Sequence, residues 1–526
     1  MKFLDGKRSA LSAAAAIVFV AAGIAVRVTV AVAQGWQLPA APPTPTLEQR
    51  QPARSCEGLS GSRLAQNVEI REARVTPGER GASDWCRVTI AVTSPPALNV
   101  VTVWLGLPIK NWNGRFLGLG GGGWLPGFPD ALKAGVPLGF ATAITNAGRP
   151  YDLSVPAETL AGMIGRDDFL LNAKGRLDWN EFENFAYRGI HEMTVVGKAI
   201  TAQFYGHEPR YSYFSGCSTG GRQGQSEVQR YPSDYNGVLS GSPVINWAHF
   251  AAADSWAITV TNELGPVAQC KFDAARRAAV AACDADDGVR DGLVSGTCNF
   301  DARALVGTPT NCGVIDVHDA EVIERIWDGP PRRDGSPLWY GLDRTALIHT
   351  PTSAEIAAAR SSIFGWNGGT GIPSIRGFER AFDEFVQEYG PVMDTSNPDL
   401  SRFADRGGKT ILWHGIADEI IPAAGSVHYV DTVRRTLGAQ RTNSFLRLYL
   451  APGVDHCGGG GGPQPVGLLE PLMDWVEHGL APQALLAKQL DPGGHVVRTR
   501  PLCPYPQQVR YNGNGSIDDA TSFGCR

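Results

Sequence analysis

Apolar and polar residues alternate along Val88–Val92 and Val100–Leu107, the period of two that marks half-buried strands. Arg115–Leu119 is another strand, and it runs directly into the open loop Gly120-Gly121-Gly122-Gly123. Phe140–Ile144, Tyr211–Ser215, Gly237–Ser240, Lys409–Trp413 and Phe445–Leu450 are short apolar runs that read as buried strands. Between them the period changes. Phe185, Ile190, Met193, Val196 and Ile200 recur every three to five residues, which predicts a helix over 182–205. A polar, helix-compatible run ends at Arg230, and Leu468–His478 is helical. Strands alternating with helices predict an α/β fold whose mostly parallel sheet is covered on both faces.

The rhythm breaks between 243 and 400. That stretch holds four of the cysteines, an acidic Gly-rich segment and Pro330-Pro331. It is far longer than an ordinary loop, so it reads as an inserted lid domain, with irregular loops on the first domain as the alternative. The catalytic core then comprises 53–242 and 401–526. At the start, Lys2, Lys7 and Arg8 precede an apolar run, Ala10–Val26, and Ala31-Val32-Ala33 is a small-x-small cleavage signal. Residues 1–33 therefore read as an export leader. The alternative, a retained anchor helix, is disfavoured because Arg27 leaves the run short of a ~20-residue span. Residues 34–52 form a Pro-rich linker. The expected location is secreted or periplasmic, with no membrane contact in the mature form.

Composition narrows the class. The 526 residues carry a net charge of −5, so no basic excess points to nucleic acid. Ten cysteines, an even number with no C-x-x-C pair, point to disulfides and away from a zinc ribbon. The partner expected is a small molecule, and the oligomeric state is left open.

Gly216-Cys217-Ser218-Thr219-Gly220 is a G-x-S-x-G between a predicted strand and a predicted helix. Its glycines permit a tight turn that lifts the Ser218 hydroxyl above a sheet; an ordinary Gly/Ser turn is the alternative. A serine nucleophile needs a base. His456 follows the strand Phe445–Leu450, in Pro452-Gly-Val-Asp-His-Cys457, and His414 ends the strand Lys409–Trp413. The chain order Ser…Asp…His fits Ser218, Asp418 and His456, whereas His414 precedes Asp418 and reads as support for the acid loop. Asp455 adjoins His456 and is poorly placed to reach its Nδ1. The Thr219 amide supplies one oxyanion donor, and the Gly120–Gly123 loop the other. Cys217 and Cys457 directly flank Ser218 and His456, so a base within reach of the serine brings the two sulfurs within bonding distance.

Gly-Cys-Ser-Thr-Gly-Gly-Arg, His-Gly-Ile-Ala-Asp and Pro-Gly-Val-Asp-His-Cys together resemble the tannase and feruloyl esterase family, which also contains the hydrolase of mono-hydroxyethyl terephthalate. The likeness runs from Asn111-Trp-Asn-Gly-Arg-Phe116 to the end and includes Arg498-Thr-Arg-Pro-Leu-Cys-Pro-Tyr-Pro506. It implies an α/β-hydrolase core with a large inserted lid. It further implies Ser218, Asp418 and His456 as the triad, Gly123 and Thr219 as oxyanion donors, and a Cys217–Cys457 bridge. The segment Cys283-Asp-Ala-Asp-Asp-Gly-Val-Arg-Asp-Gly-Leu293 clusters hard oxygen ligands and is chemically either a calcium loop or an acidic surface turn. The resemblance implies structural Ca²⁺ held by Asp284, Asp287 and Asp291 with the carbonyls of Val289 and Leu293, Asp286 facing solvent. Cys283 and Cys298 flank this loop. Cys56–Cys86 and Cys503–Cys525 are expected from proximity, and Cys270–Cys312 remains.

The implied activity is a serine carboxylic ester hydrolase acting on esters of phenolic acids. A terephthalate monoester, or another aromatic ester, is the alternative substrate, and an inactive binding protein on the same fold is the alternative class. The likeness is weakest between Trp327 and Glu388. There Trp339, Tyr340, Phe364, Trp366 or Phe378 could stack on an aromatic acyl group, and Arg376 or Arg380 could meet a carboxylate.

Overall fold

The computed structural model describes residues 51–526 apart from 62, 80, 96–98, 152–162, 352–370 and 372. The export leader, nearly all of the linker, Phe364 and Trp366 lie outside the described residues.

Ten strands form one sheet. In chain order they are β1 (Arg63–Ala65), β2 (Val68–Thr76), β3 (Trp85–Val92), β4 (Val101–Pro108), β5 (Arg115–Leu119), β6 (Ala141–Thr145), β7 (Tyr211–Cys217), β8 (Gly237–Gly241), β9 (Lys409–Gly415) and β10 (Leu446–Ala451). Their spatial order is β1-β2-β3-β4-β6-β5-β7-β8-β9-β10. The six from β6 to β10 are parallel. β1 to β4 extend the sheet as an antiparallel edge, which meets β6 through β4. The parallel strands read as unbroken apolar runs because both faces are covered. Phe116, Phe214, Val238, Leu412 and Leu448 enter one core, and Leu117, Tyr213, Leu239, Ile411 and Tyr449 enter the other. At β2 only every second or third residue is buried, so its apolar signal is weak in the sequence.

The long helix expected over 182–205 is interrupted. Trp179–Glu183 is α-helical, Asn184–Arg188 forms a π-turn, and α1 (Gly189–Tyr205) follows. The fully buried Arg222 accounts for the interruption. Its guanidinium donates to the carbonyls of Ala186 (2.6 Å) and Phe185 (3.2 Å), which a tighter helix would use internally. After β7 comes α2 (Thr219–Arg230).

A separate hydrophobic core gathers Trp247, Phe272, Ile323, Trp327, Phe382 and Phe385 with earlier residues such as Leu170 and Phe185. Its helices include α3 (Trp247–Asp254), α4 (Trp256–Leu264), α5 (Gln269–Cys283), α6 (Val317–Asp328) and α7 (Phe378–Met393). α8 (Ala423–Leu437) and α9 (Leu469–His478) return to the main sheet. Five disulfides join Cys56–Cys86, Cys217–Cys457, Cys270–Cys312, Cys283–Cys298 and Cys503–Cys525, the pairs that spacing and resemblance suggest. Among the described residues no helix is long and apolar enough to cross a membrane.

Candidate active site

Ser218 sits at the hinge between β7 and α2 with φ 61° and ψ −125°, a conformation that costs a non-glycine residue about 1–3 kcal/mol. The flanking glycines make the turn possible. A Cβ on Gly216 would lie 2.6 Å from backbone atoms of Gly220, so strand and helix meet too closely for any side chain. The Ser218 amide donates to Gly241 O (2.9 Å), which ties the turn to β8. The residue is half-buried.

Gly120–Gly123 follows β5 and lies against α2. The amides of Gly120, Gly121, Gly122 and Trp124 donate to Ser215 O, Gln223 Oε1, Leu125 O and Ile164 O respectively. The amide of Gly123 has no partner among the described residues. Its carbonyl accepts a hydrogen bond from Thr219 Oγ1 (2.7 Å), which fixes the following peptide against the Ser218 turn. Gly123 needs to be glycine: φ is +54°, and a Cβ would fall 2.5 Å from Ile164 O. Thr219 begins α2, so its amide belongs to the first turn, whose N–H groups have no intrahelical acceptor.

Asp418 follows β9 and His456 follows β10. His456 Nδ1 lies 2.8 Å from Asp418 Oδ2. Asp418 Oδ1 accepts from the amides of Ile420 (3.0 Å) and Ile421 (2.7 Å). Both side chains are buried. Burial alone would raise the Asp418 carboxyl, but the charge of His456 and the bonds from both histidines outweigh it and hold it well below the usual range. Burial likewise pulls His456 down, and Asp418 more than reverses this, leaving the imidazole above its ordinary value. Glu419 Oε2 accepts the His456 amide (3.0 Å) and steadies the base loop.

His414 is fully buried behind this pair. Its Nε2 faces Ile421 O (2.9 Å) and Asp418 Oδ2 (3.2 Å), both acceptors, so this nitrogen carries the proton. Its Nδ1 then accepts from Ser426 Oγ (2.8 Å). The support role expected of His414 thus takes a specific form: it shares with His456 one oxygen of Asp418. The Cys217–Cys457 bridge, with Cα atoms 5.9 Å apart, connects the residue before Ser218 to the residue after His456. Cys457 Sγ lies 3.6 Å from His456 Nε2.

In the acidic loop, Asp284 Oδ1 accepts the amides of Asp291 (3.0 Å), Gly292 (2.9 Å) and Leu293 (3.2 Å). Asp287 accepts from the Val289 amide and from Ser295 Oγ, and Asp291 pairs with buried Arg500. Burial, against the pull of Arg500, leaves the Asp291 carboxyl above its ordinary value. Asp286 is exposed, as expected. The all-oxygen donor set suits a hard cation, and the buried Arg500 guanidinium on Asp291 is a positive charge with which such an ion would share that carboxylate. Among the described residues Asp284, Asp287 and Asp291 do not form a group whose ligand oxygens all lie within 4.8 Å of one another, whereas Ca²⁺ would be ligated at about 2.3–2.6 Å.

The aromatic expectations divide. Phe378 is 1% exposed and packs edge-on against Trp256, so it is lid core and does not face a substrate. Arg380 pairs with Glu384 one helical turn on, which removes it as a carboxylate partner, and Arg376 is exposed. Trp339 and Tyr340 pack around His428, and Trp339 also contacts His249. Aromatic surface next to the oxyanion loop comes instead from Trp124, which packs on Phe185 and Trp247 with centroids 5.1 and 5.7 Å away. Sequence reading missed Trp124; its only signal is its place directly after Gly123.

Known proteins of similar sequence and structure place the chain in a family. A family profile described as tannase and feruloyl esterase matches residues 86–370 and 372–526. A probable feruloyl esterase of Arthroderma benhamiae is 36% identical over 89% of this chain and 91% of its own length. Mono(2-hydroxyethyl) terephthalate hydrolase of Piscinibacter sakaiensis is 30% identical over 79% of each. The solved structure of tannin acyl hydrolase from Aspergillus niger superposes with a TM-score of 0.77 at 27% identity, covering 89% of this chain and 93% of that one. The chain belongs to the tannase and feruloyl esterase family.

Proposed function

We propose that this protein is an exported serine esterase that cleaves esters of phenolic acids through an acyl-enzyme. Ser218 Oγ attacks the ester carbonyl while His456 Nε2 takes its proton. The amides of Gly123 and Thr219 receive the oxyanion, and the unused Gly123 N–H is the structural support for that role. His456 returns the proton to the departing alcohol. A water molecule then attacks the acyl-enzyme, His456 accepts its proton, and the acid leaves with Ser218 restored. Asp418 orients the imidazole and stabilises its charged form.

The observation that carries this reading is the His456–Asp418 pair, locked to the Ser218 turn by the Cys217–Cys457 bridge. Five disulfides support an oxidising destination. Ca²⁺ held by Asp284, Asp287, Asp291 and the carbonyls of Val289 and Leu293 would supply a fixed charge that braces the lid.

Likeness to the terephthalate monoester hydrolase favours a second substrate reading, which calls for a cation to meet the free carboxylate. Several described lid arginines are already engaged: Arg332 with Glu379 and Asp383, Arg344 with Glu324 and Asp328, and Arg380 with Glu384. Neutral phenolic acyl groups are therefore ranked first. Comparing kcat/KM for methyl ferulate, methyl gallate, methyl hexanoate and a terephthalate monoester tests the assignment. The aromatic phenolic esters are expected to lead, and a hexanoate ester hydrolysed as well as ferulate would reject it. Labelling by a serine-directed phosphonate separates the enzyme from an inactive binding protein.

A further inference from the structure

Away from Ser218, the far end of α2 meets α1. Among the described residues, one group of three ligand-type side chains brings its donor atoms within 4.8 Å of one another: His191 on α1, Glu227 on α2 and Asp234 in the turn that follows. Glu227 is fully buried; among the described residues no N–H or hydroxyl donor reaches its oxygens, and its carboxyl lies against that of Asp234, close enough to share a proton. The Lys198 ammonium is spent on the carbonyl oxygen of Asp234. Burial, and then the neighbouring Asp234 carboxylate, push the Glu227 carboxyl well above the usual range. His191 stacks on Tyr231 with ring centroids 3.7 Å apart, which fixes its plane and turns Nδ1 toward Asp234 Oδ2 at 2.7 Å. The side chains of His191 and Asp234 keep 31% and 12% of their surface in water, so the group is reachable from outside.

We propose that His191, Glu227 and Asp234 form a binding site for a first-row divalent cation of the zinc type, distinct from the acidic loop at 284–293. One imidazole and two carboxylates match that class, whereas Ca²⁺ takes six or more oxygens. His191 Nδ1 and one oxygen from each carboxylate are the protein ligands, with water as the fourth. The Nδ1–Oδ2 contact, 2.7 Å in the structure, opens by roughly 0.6 Å or more as the ion enters at about 2.0–2.2 Å from each ligand in tetrahedral geometry. The proton kept on Glu227 leaves to solvent, and Nδ1 becomes a lone-pair donor with the imidazole proton on Nε2. The ion pins α1 to the end of α2, the helix that begins directly after Ser218. It does not take part in the ester chemistry.

The test uses the intact mature protein, stripped with a chelator and returned to buffer containing Ca²⁺. Isothermal titration with Zn²⁺ is expected to show one tight equivalent, with proton release, in the wild type. His191→Asn and Glu227→Gln should each weaken that equivalent by about 100-fold or more, and Co²⁺ in the same site should give a visible spectrum lost in both variants. If Glu227→Gln does not fold, His191→Asn decides alone, since its ring is partly solvent-facing. Absence of tight Zn²⁺ binding in the wild type, or its retention in His191→Asn, overturns the proposal and leaves a proton shared between Glu227 and Asp234.

Discussion

Asp418 is fully engaged in the site: its Oδ2 faces Nδ1 of His456 and Nε2 of His414, and its Oδ1 accepts two amides. His456 must be neutral to accept a proton. Because Asp418 raises its pKa, kcat/KM is expected to fall as pH drops through an apparent value above the ordinary ~6.5, while Asp418 stays ionised throughout. A pH–rate profile on a methyl ester checks this, and an acid limb well below ~6.5 would contradict it. His414→Ala removes one donor to a charged carboxylate, a contact worth about 1.5–3 kcal/mol, so a loss of about 10- to 100-fold is expected, far milder than for His456→Ala. Measured kcat values for the two variants decide. Ser218, Asp418 and His456 were legible in the sequence because a glycine turn, chain order and paired cysteines mark them. The sharing of Asp418 by His414, and the grip of Glu419 on the His456 amide, were not. Those contacts depend on how two loops fold over the strand ends, and no local pattern encodes that.

Elements, more than single contacts, hold the catalytic geometry. Closing 240 residues with Cys217–Cys457 constrains the unfolded chain by about 5 kcal/mol in the entropy model. The local effect is larger for function, because the bridge couples the nucleophile turn to the base loop. The double variant Cys217→Ala/Cys457→Ala is expected to lose hydrolysis while its far-ultraviolet circular dichroism stays native; joint loss of both at the same temperature would argue against a local role. In the acidic loop, an ion would stabilise the fold by RT ln(1 + [L]/Kd). Chelation should therefore lower Tm and, through the lid, activity; full activity with no calcium by elemental analysis would remove the metal from the assignment. The parallel strands were readable because burial on both faces makes them continuous apolar runs. The antiparallel β1 and β2 were not, since β2 buries one face irregularly and β1 has only three residues. The π-turn at 184–188 was equally hidden, because its cause, Arg222, lies on another helix.

At the scale of the whole molecule, one sheet carries Ser218, Asp418 and His456 at its strand ends, and a second hydrophobic core gathers the helices between β8 and β9. In the proposed reaction the oxyanion donors read only the carbonyl, so choice among esters is expected to rest on partly exposed aromatic surface such as Trp124, which the buried Phe185 and Trp247 hold in place. A flat acyl ring stacked there gains roughly 0.5–1.5 kcal/mol beyond burial, enough for about a two- to tenfold preference over an aliphatic chain. The fold and the residues of the candidate site were visible in the sequence as motifs at strand ends. Specificity was not, because aromatics such as Phe378 have the same composition whether they fill the lid core or line the cleft. The proposed hydrolysis depends on Ser218 being the nucleophile. The most direct measurement is turnover of methyl ferulate by a folded Ser218→Ala variant beside the wild type. A fall of several orders of magnitude, with native circular dichroism, is expected because triad members act as a unit; turnover near the wild-type rate would contradict the mechanism.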